Sequence, residues 1–148
     1  EDRETREKQE KIFREMIELA ENLRKPVVVH SRDAERKAVE ILKEYSLPEV
    51  MLHCFNGRPE LAEEAVENRM KIGVTTQVLY SNRVQELVKT LELENILLET
   101  DSPYLYRGER NRPVNVIESS KKISELKNIK QDEVVDKTTE NARNLFRR

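Results

Sequence analysis

The chain is poor in the residues that break or cross-link a fold: three glycines, five prolines and one cysteine among 148 residues. With so little glycine and proline, no flexible interdomain linker stands out, and the sequence reads as one domain. A lone Cys54 has no partner for an intramolecular disulfide, which fits a reducing compartment and a cytoplasmic protein. No apolar run approaches the roughly 18 residues of a membrane span. The densely charged residues 1–25 resemble neither a signal peptide nor a transit peptide. A dominant positive charge is missing as well: 27 Lys and Arg face 29 Asp and Glu, for a net charge of −2. No global field therefore attracts nucleic acid, and a polyanionic substrate needs a local basic patch or metal ions.

What is abundant is charge of both signs, 38% of the residues against about 25% in average proteins. Solvated helix faces and surface ion-pair networks of the thermophile kind both produce such a composition. The length is that of one ordinary domain able to bury a core. The sequence opens on Glu1 rather than Met, inside a helix-like pattern, which leads to the expectation of a processed chain or a piece of a longer one.

Along the chain, helical and strand-like patterns alternate. Ile12, Phe13, Met16, Leu19, Ala20 and Leu23 fall at helical spacing over residues 8–24. Pro26 ends that run, and Val27-Val28-Val29-His30 is short, β-branched and apolar on both faces, as a covered parallel strand should be. Strands are predicted at about 26–31, 50–54, 71–76 and 95–100. Between them lie helical runs carrying Ala34, Ala38, Ile41, Leu42 and Tyr45; Leu61, Ala62, Ala65 and Val66; and Val84, Leu87, Val88 and Leu91. Further apolar positions follow at Val116, Ile117, Ile123, Leu126, Ala142, Leu145 and Phe146. Alternating β and α elements imply an α/β fold with a parallel sheet and right-handed crossovers. Periodicity leaves an open sheet and half of an eight-stranded barrel as alternatives. Met16, Tyr45 and Phe146 are expected in the core, and Cys54 is expected to be a buried small residue turned away from any site.

Polar residues interrupt the apolar runs at their carboxyl ends: His30, His53 and Asp101. Taken singly, a strand-end histidine is most simply a capping or packed one, and an aspartate before Ser-Pro a turn former. Their conjunction at equivalent places of a repeating unit points elsewhere. Parallel α/β proteins gather their chemistry at those ends, and two imidazoles with a carboxylate suit a divalent metal. Alternation puts Leu97, Glu99 and Asp101 on one face, so Glu99 is expected beneath Asp101, supporting the metal ligands from behind. Arg32 and the cluster Arg107, Arg110 and Arg112 suit phosphate oxygens.

Three blocks resemble the signatures of the TatD family of metal-dependent hydrolases: Val29-His30-Ser31-Arg32-Asp33-Ala34, Leu52-His53-Cys54-Phe55-Asn56-Gly57, and Leu98-Glu99-Thr100-Asp101-Ser102-Pro103-Tyr104. Arg107-Gly108 with Arg110-Asn111 and Pro113, then Thr139-Glu140-Asn141-Ala142 with Leu145-Phe146, are similar to the family's later blocks, in the same order. The resemblance implies a TIM-type (β/α)8 barrel and hydrolysis of phosphodiester bonds, chiefly in DNA, as a deoxyribonuclease. It also implies two divalent metal ions (Mg2+, Mn2+ or Zn2+) in the complete site. By the same resemblance His30 and His53 bind one metal. Asp101 binds the other and takes the proton of the attacking water. Arg32, Arg107, Arg110 and Asn111 face the substrate.

The chain departs from the family pattern in Asn56 and Arg112, where Ser and Glu are frequent. It departs more deeply in having neither the His-x-His pair of the family's first strand nor the bridging Glu of its fourth. Residues 1–148 are therefore expected to be the C-terminal portion of a single barrel domain, about its last four β/α units. A missing N-terminal half, or self-association, would cover the open sheet edges. Two alternatives to the nuclease remain at this point: a non-catalytic half-barrel that assembles with itself or a partner chain, and a related hydrolase of C–N or ester bonds.

Overall fold

Each of the four short apolar runs is too brief for a helix and apolar on both faces, and each becomes a strand. In the computed structural model, which describes residues 3–146, the strands are β1 (Val27–His30), β2 (Val50–His53), β3 (Met70–Val74) and β4 (Ile96–Leu98). Helices α1 (Arg3–Asn22), α2 (Glu35–Leu42), α3 (Pro59–Glu67) and α4 (Asn82–Thr90) each precede a strand. Helices α5 (Val116–Lys127) and α6 (Gln131–Phe146) follow the last one. Glu1 lies outside the described residues.

The strands are parallel and lie in the order β1-β2-β3-β4. The order does not reverse among the described residues, so they hold no switch point of the doubly wound kind. Helices α2, α3 and α4 all pack on one face, as in a barrel wall. On that face Val29, Leu52, Ile72 and Ile96 pack with Val39, Leu42, Ala62, Ala65 and Val88 of the helices in the main core. On the other face Met51 and Leu97 meet Leu145 of α6 in a smaller cluster.

The strands are shorter than the apolar runs predict, and the difference matters at β4. Pairing there stops at Leu98, although the Glu99 N–H still donates to the Val74 carbonyl at 3.0 Å. Asp101 then takes a left-handed backbone, φ 56°. The alternation that would put Glu99 and Asp101 on one strand face is therefore broken before it reaches Asp101.

Two core expectations are corrected. Met16 is 57% exposed and Phe146 59%, whereas Tyr45 is half-buried against the core. On α1 the side packed inward carries Ile17, with Phe13 half-buried, while Ile12, Met16 and Leu19, and Leu23 just past the helix, are exposed. A helical stripe reports that a helix forms; a stripe this wide does not say which part of it the core will take. The abundant charge is visible as helix-surface pairing. Arg14 donates to Glu44 at 2.6 Å and to Glu10 at 3.1 Å, while Lys37 reaches Glu10 at 3.2 Å, linking α1 to α2. These partners lower the Glu10 and Glu44 carboxyls below their usual range, but exposed pairs of this kind add little stability.

Candidate functional site

His30 and His53 are register partners at the carboxyl ends of β1 and β2. Their rings lie 5.5 Å apart, centroid to centroid, tilted by 41°. His53 Nδ1 is hydrogen-bonded to Glu99 Oε2, and the second oxygen of Glu99 accepts from the Cys54 N–H at 2.6 Å. Glu99 is thus a partly buried carboxylate with both oxygens engaged, as its place beneath the strand ends requires. With Nδ1 held by a carboxylate, the Nε2 edge of His53 is the one left to bind. It faces Asp101 Oδ1 at 3.4 Å.

Gly73 makes this arrangement fit. A Cβ built on it would stand 2.3 Å from Glu99 Oε1 and 2.7 Å from the Met51 methyl. The carboxylate lies where any side chain on Gly73 would be. Composition held a clue, because a glycine inside a strand often marks a close approach, but nothing in the sequence names the neighbour. Gly57 is similar: its Cβ would meet the Phe55 ring at 2.3 Å, so the buried Phe55 folds back over it.

The loops after the strands bend through unusual backbone conformations. Asp33, Cys54 and Asp101 all have positive φ, at 58°, 49° and 56°. Such residues cost roughly 1–3 kcal/mol each and gather where function needs an over-determined geometry. Cys54 is half-buried, with its Sγ 3.9 Å from Gln77 Oε1. Burial, with the nearby charges of Asp101 and Glu99, pushes its thiol up to about 11. A thiol shifted in this direction has little thiolate to offer at neutral pH.

The loop after β4 is pinned by Asn111. This residue is 2% exposed, and its amide nitrogen lies 2.8 Å from Thr76 Oγ1, 2.7 Å from the Thr100 carbonyl and 2.6 Å from the Tyr104 carbonyl. Its carbonyl oxygen accepts from the Arg112 N–H and from Asn115. The expectation that Asn111 faces substrate is therefore corrected: its polar atoms are occupied inside the loop. Thr76, fully buried, donates to the Leu105 carbonyl at 2.5 Å. Sequence reasoning passed over the end of β3, where Thr76 and Gln77 sit, because no ionisable residue marks it. Arg32, Arg107, Arg110 and Arg112 are exposed and form no ion pair among the described residues. Arg32 follows His30 by two residues, on the loop that leaves β1. No group of three or more His, Cys, Asp or Glu side chains suited to holding one metal ion occurs among the described residues.

A parallel β/α wall with imidazoles and carboxylates meeting at the carboxyl ends of its strands is the framework of the barrel-type hydrolases. The chain belongs to the TatD related DNase family, whose model matches residues 1–147. It is 40% identical over 145 residues to human deoxyribonuclease TATDN3, covering 97% of this chain and 53% of that protein. It is 39% identical over 143 residues to an uncharacterized metal-dependent hydrolase of Methanocaldococcus jannaschii, covering 95% of this chain and 57% of that one. The crystal structure of YJJV, a TatD homologue from Escherichia coli K12, superposes with a TM-score of 0.88 at 31% identity, covering 95% of this chain and 57% of that one. The chain thus spans about half the length of the relatives it matches.

Proposed function

We propose that this chain forms the carboxyl-terminal four β/α units of a single TIM-type barrel that hydrolyses phosphodiester bonds in DNA, with two divalent metal ions at the complete site. The observation that carries this reading is the paired placement of His30 and His53 beside Glu99 and Asp101. The donor set fits part of such a centre: two imidazoles side by side, one locked by a carboxylate, and an aspartate opposite its free edge. His30 and His53 would hold one ion and Asp101 the other, with remaining ligands supplied by the rest of the barrel. Bound divalent ions supply charge neutralisation for phosphate and a more acidic water.

The protein's own residues do the remaining work. Glu99 fixes the tautomer and direction of His53. Asp101 accepts the proton of the attacking water. Arg32, Arg107 and Arg110, without carboxylate partners among the described residues, meet the phosphate oxygens of the substrate. Asn111 acts one step back, by holding the loop that carries Asp101, Tyr104, Arg107 and Arg110.

The uncovered apolar surfaces support a completed barrel. Along α1 and the edge strand β1, Ile12, Met16, Leu19, Leu23 and Val28 are exposed. At the other edge a groove of about 480 Å3 opens beside Leu98, Ile117, Val135, Ala142 and Phe146. These are the two margins that further barrel strands and helices would cover. No described helix is long and apolar enough to cross a membrane. The test is substitution in the full-length protein. His30→Ala and Asp101→Ala are expected to lower Mg2+- or Mn2+-dependent DNA hydrolysis by at least about 100-fold, in line with losses at metal ligands and their supports, with unchanged circular dichroism. Near-wild-type turnover in the Asp101→Ala protein would contradict the assigned role.

A further inference from the structure

The chain has no tryptophan and only four tyrosines, three of which lie on the two loops that leave β3 and β4 at the site. Tyr104 is 69% exposed and Tyr80 45%. The other large exposed apolar residues lie on α1 and β1 or in the segment 114–146, along the two open margins. Tyr80 and Tyr104 stand among the strand-end loops, with Val114 further along the β4–α5 segment.

Both tyrosines are rigidly mounted. The Tyr104 N–H donates to the Asp101 carbonyl at 2.9 Å, and the Tyr104 carbonyl accepts from buried Asn111 at 2.6 Å. One turn of chain therefore links the ring to Asp101, and the backbone beneath it is held. The Tyr80 N–H donates to the Gln77 carbonyl at 3.0 Å, and its phenol interacts with the Gln77 side chain. Gln77 in turn lies 3.9 Å from the sulfur of Cys54, the neighbour of His53. Exposed aromatic faces on ordered backbone lose little entropy when something flat lies on them.

We propose that Tyr104 and Tyr80 are base-stacking positions, which grip the nucleobases flanking the phosphodiester presented to His30, His53 and Asp101. This rests on the reading of the substrate as a polynucleotide and says how that substrate is told from other phosphodiesters. Arginines recognise phosphate in any ester, whereas an aromatic face recognises the base. Because every base has a π-face, the grip tolerates any sequence. It also requires bases that are free to leave their own stack.

The experiment uses the full-length protein carrying Asp101→Asn, so that DNA survives the measurement. Binding is followed by fluorescence anisotropy with a single-stranded oligodeoxynucleotide, and with an oligomer of the same sugar–phosphate chain that has no bases. Tyr104→Ala is expected to weaken binding of the base-bearing strand about tenfold and Tyr80→Ala by several-fold, with less than about a twofold change for the base-free strand. Tyr104→Phe, which keeps the ring, is expected to bind DNA as the parent does. Quenching of 2-aminopurine in the strand should disappear with Tyr104→Ala. Equal losses on both oligomers, or no loss on DNA, would overturn the proposal. Hydrolysis by the Asp101-bearing protein is scored separately: base-dependent binding without any cleavage would remove the hydrolase reading and leave the stacking positions standing.

Discussion

At the scale of single residues, the site depends on a side chain that is not there. Gly73 leaves room for the Glu99 carboxylate, which holds His53 and the Cys54 N–H. Gly73→Ala is therefore predicted to push Glu99 off His53. In the full-length protein, titration calorimetry should show metal affinity lowered by about 10- to 100-fold, the usual range for losing a partner behind a metal-binding histidine. Glu99→Gln should fall in the same direction, and it guards against a backbone effect peculiar to the alanine. Wild-type affinity in both variants would mean that Glu99 does not support His53. Cys54→Ala is predicted to keep hydrolysis within about twofold, because a thiol pushed up to about 11 is protonated at neutral pH. A tenfold loss would make the sulfur a participant. His30, His53 and Asp101 could be read from sequence because each ends an apolar run. Gly73 could not, since its meaning lies in a residue 26 positions away that only the folded sheet brings onto it.

At the scale of elements, two buried asparagines tie loops and helices to the sheet. Asn141 on α6 donates to the carbonyls of Leu93 and Ile96 at 2.7 and 2.9 Å, fastening the last helix to the start of β4. Asn141→Ala would take this donor from both carbonyls, leaving Leu93 with the Ile96 N–H alone. The predicted loss is about 1–3 kcal/mol of stability, to be read from urea unfolding of the full-length protein; a change below about 0.5 kcal/mol would show that water replaces the amide. Asn111→Ala is predicted to loosen residues 101–112, seen as faster proteolysis within that loop and weaker DNA binding, with His30 and His53 undisturbed. An unchanged cleavage pattern would contradict the pinning role. The four strands and the helices between them were legible because short two-sided apolar runs and helical stripes have different periods. The burial of Asn111 was not, because a polar loop residue in an arginine-rich segment looks the same in sequence whether it faces water or the loop's own carbonyls. The same limit applies to Met16 and Phe146: periodicity places them on an apolar helical side, while tertiary packing decides that this side stays uncovered here.

At the scale of the whole molecule, a four-stranded parallel wall leaves two margins with exposed apolar side chains, from Ile12 to Val28 at one and from Val114 to Phe146 at the other. This chain alone is predicted to self-associate in sedimentation experiments and to hydrolyse DNA slowly or not at all. A supplied N-terminal half should restore both a discrete complex and activity. A monomeric, fully active 148-residue chain would contradict the half-barrel account. That account reduces to one claim, that His30, His53 and Asp101 are metal ligands at the carboxyl ends of neighbouring strands. The most direct measurement is a crystal structure of the full-length protein grown with Mn2+, with anomalous difference density calculated at the manganese edge. The account predicts one peak within bonding distance of His30 and of His53 Nε2, and a second at the Asp101 carboxylate. Manganese bound elsewhere, with His53 Nε2 and Asp101 still facing each other across a metal-free gap, would contradict it.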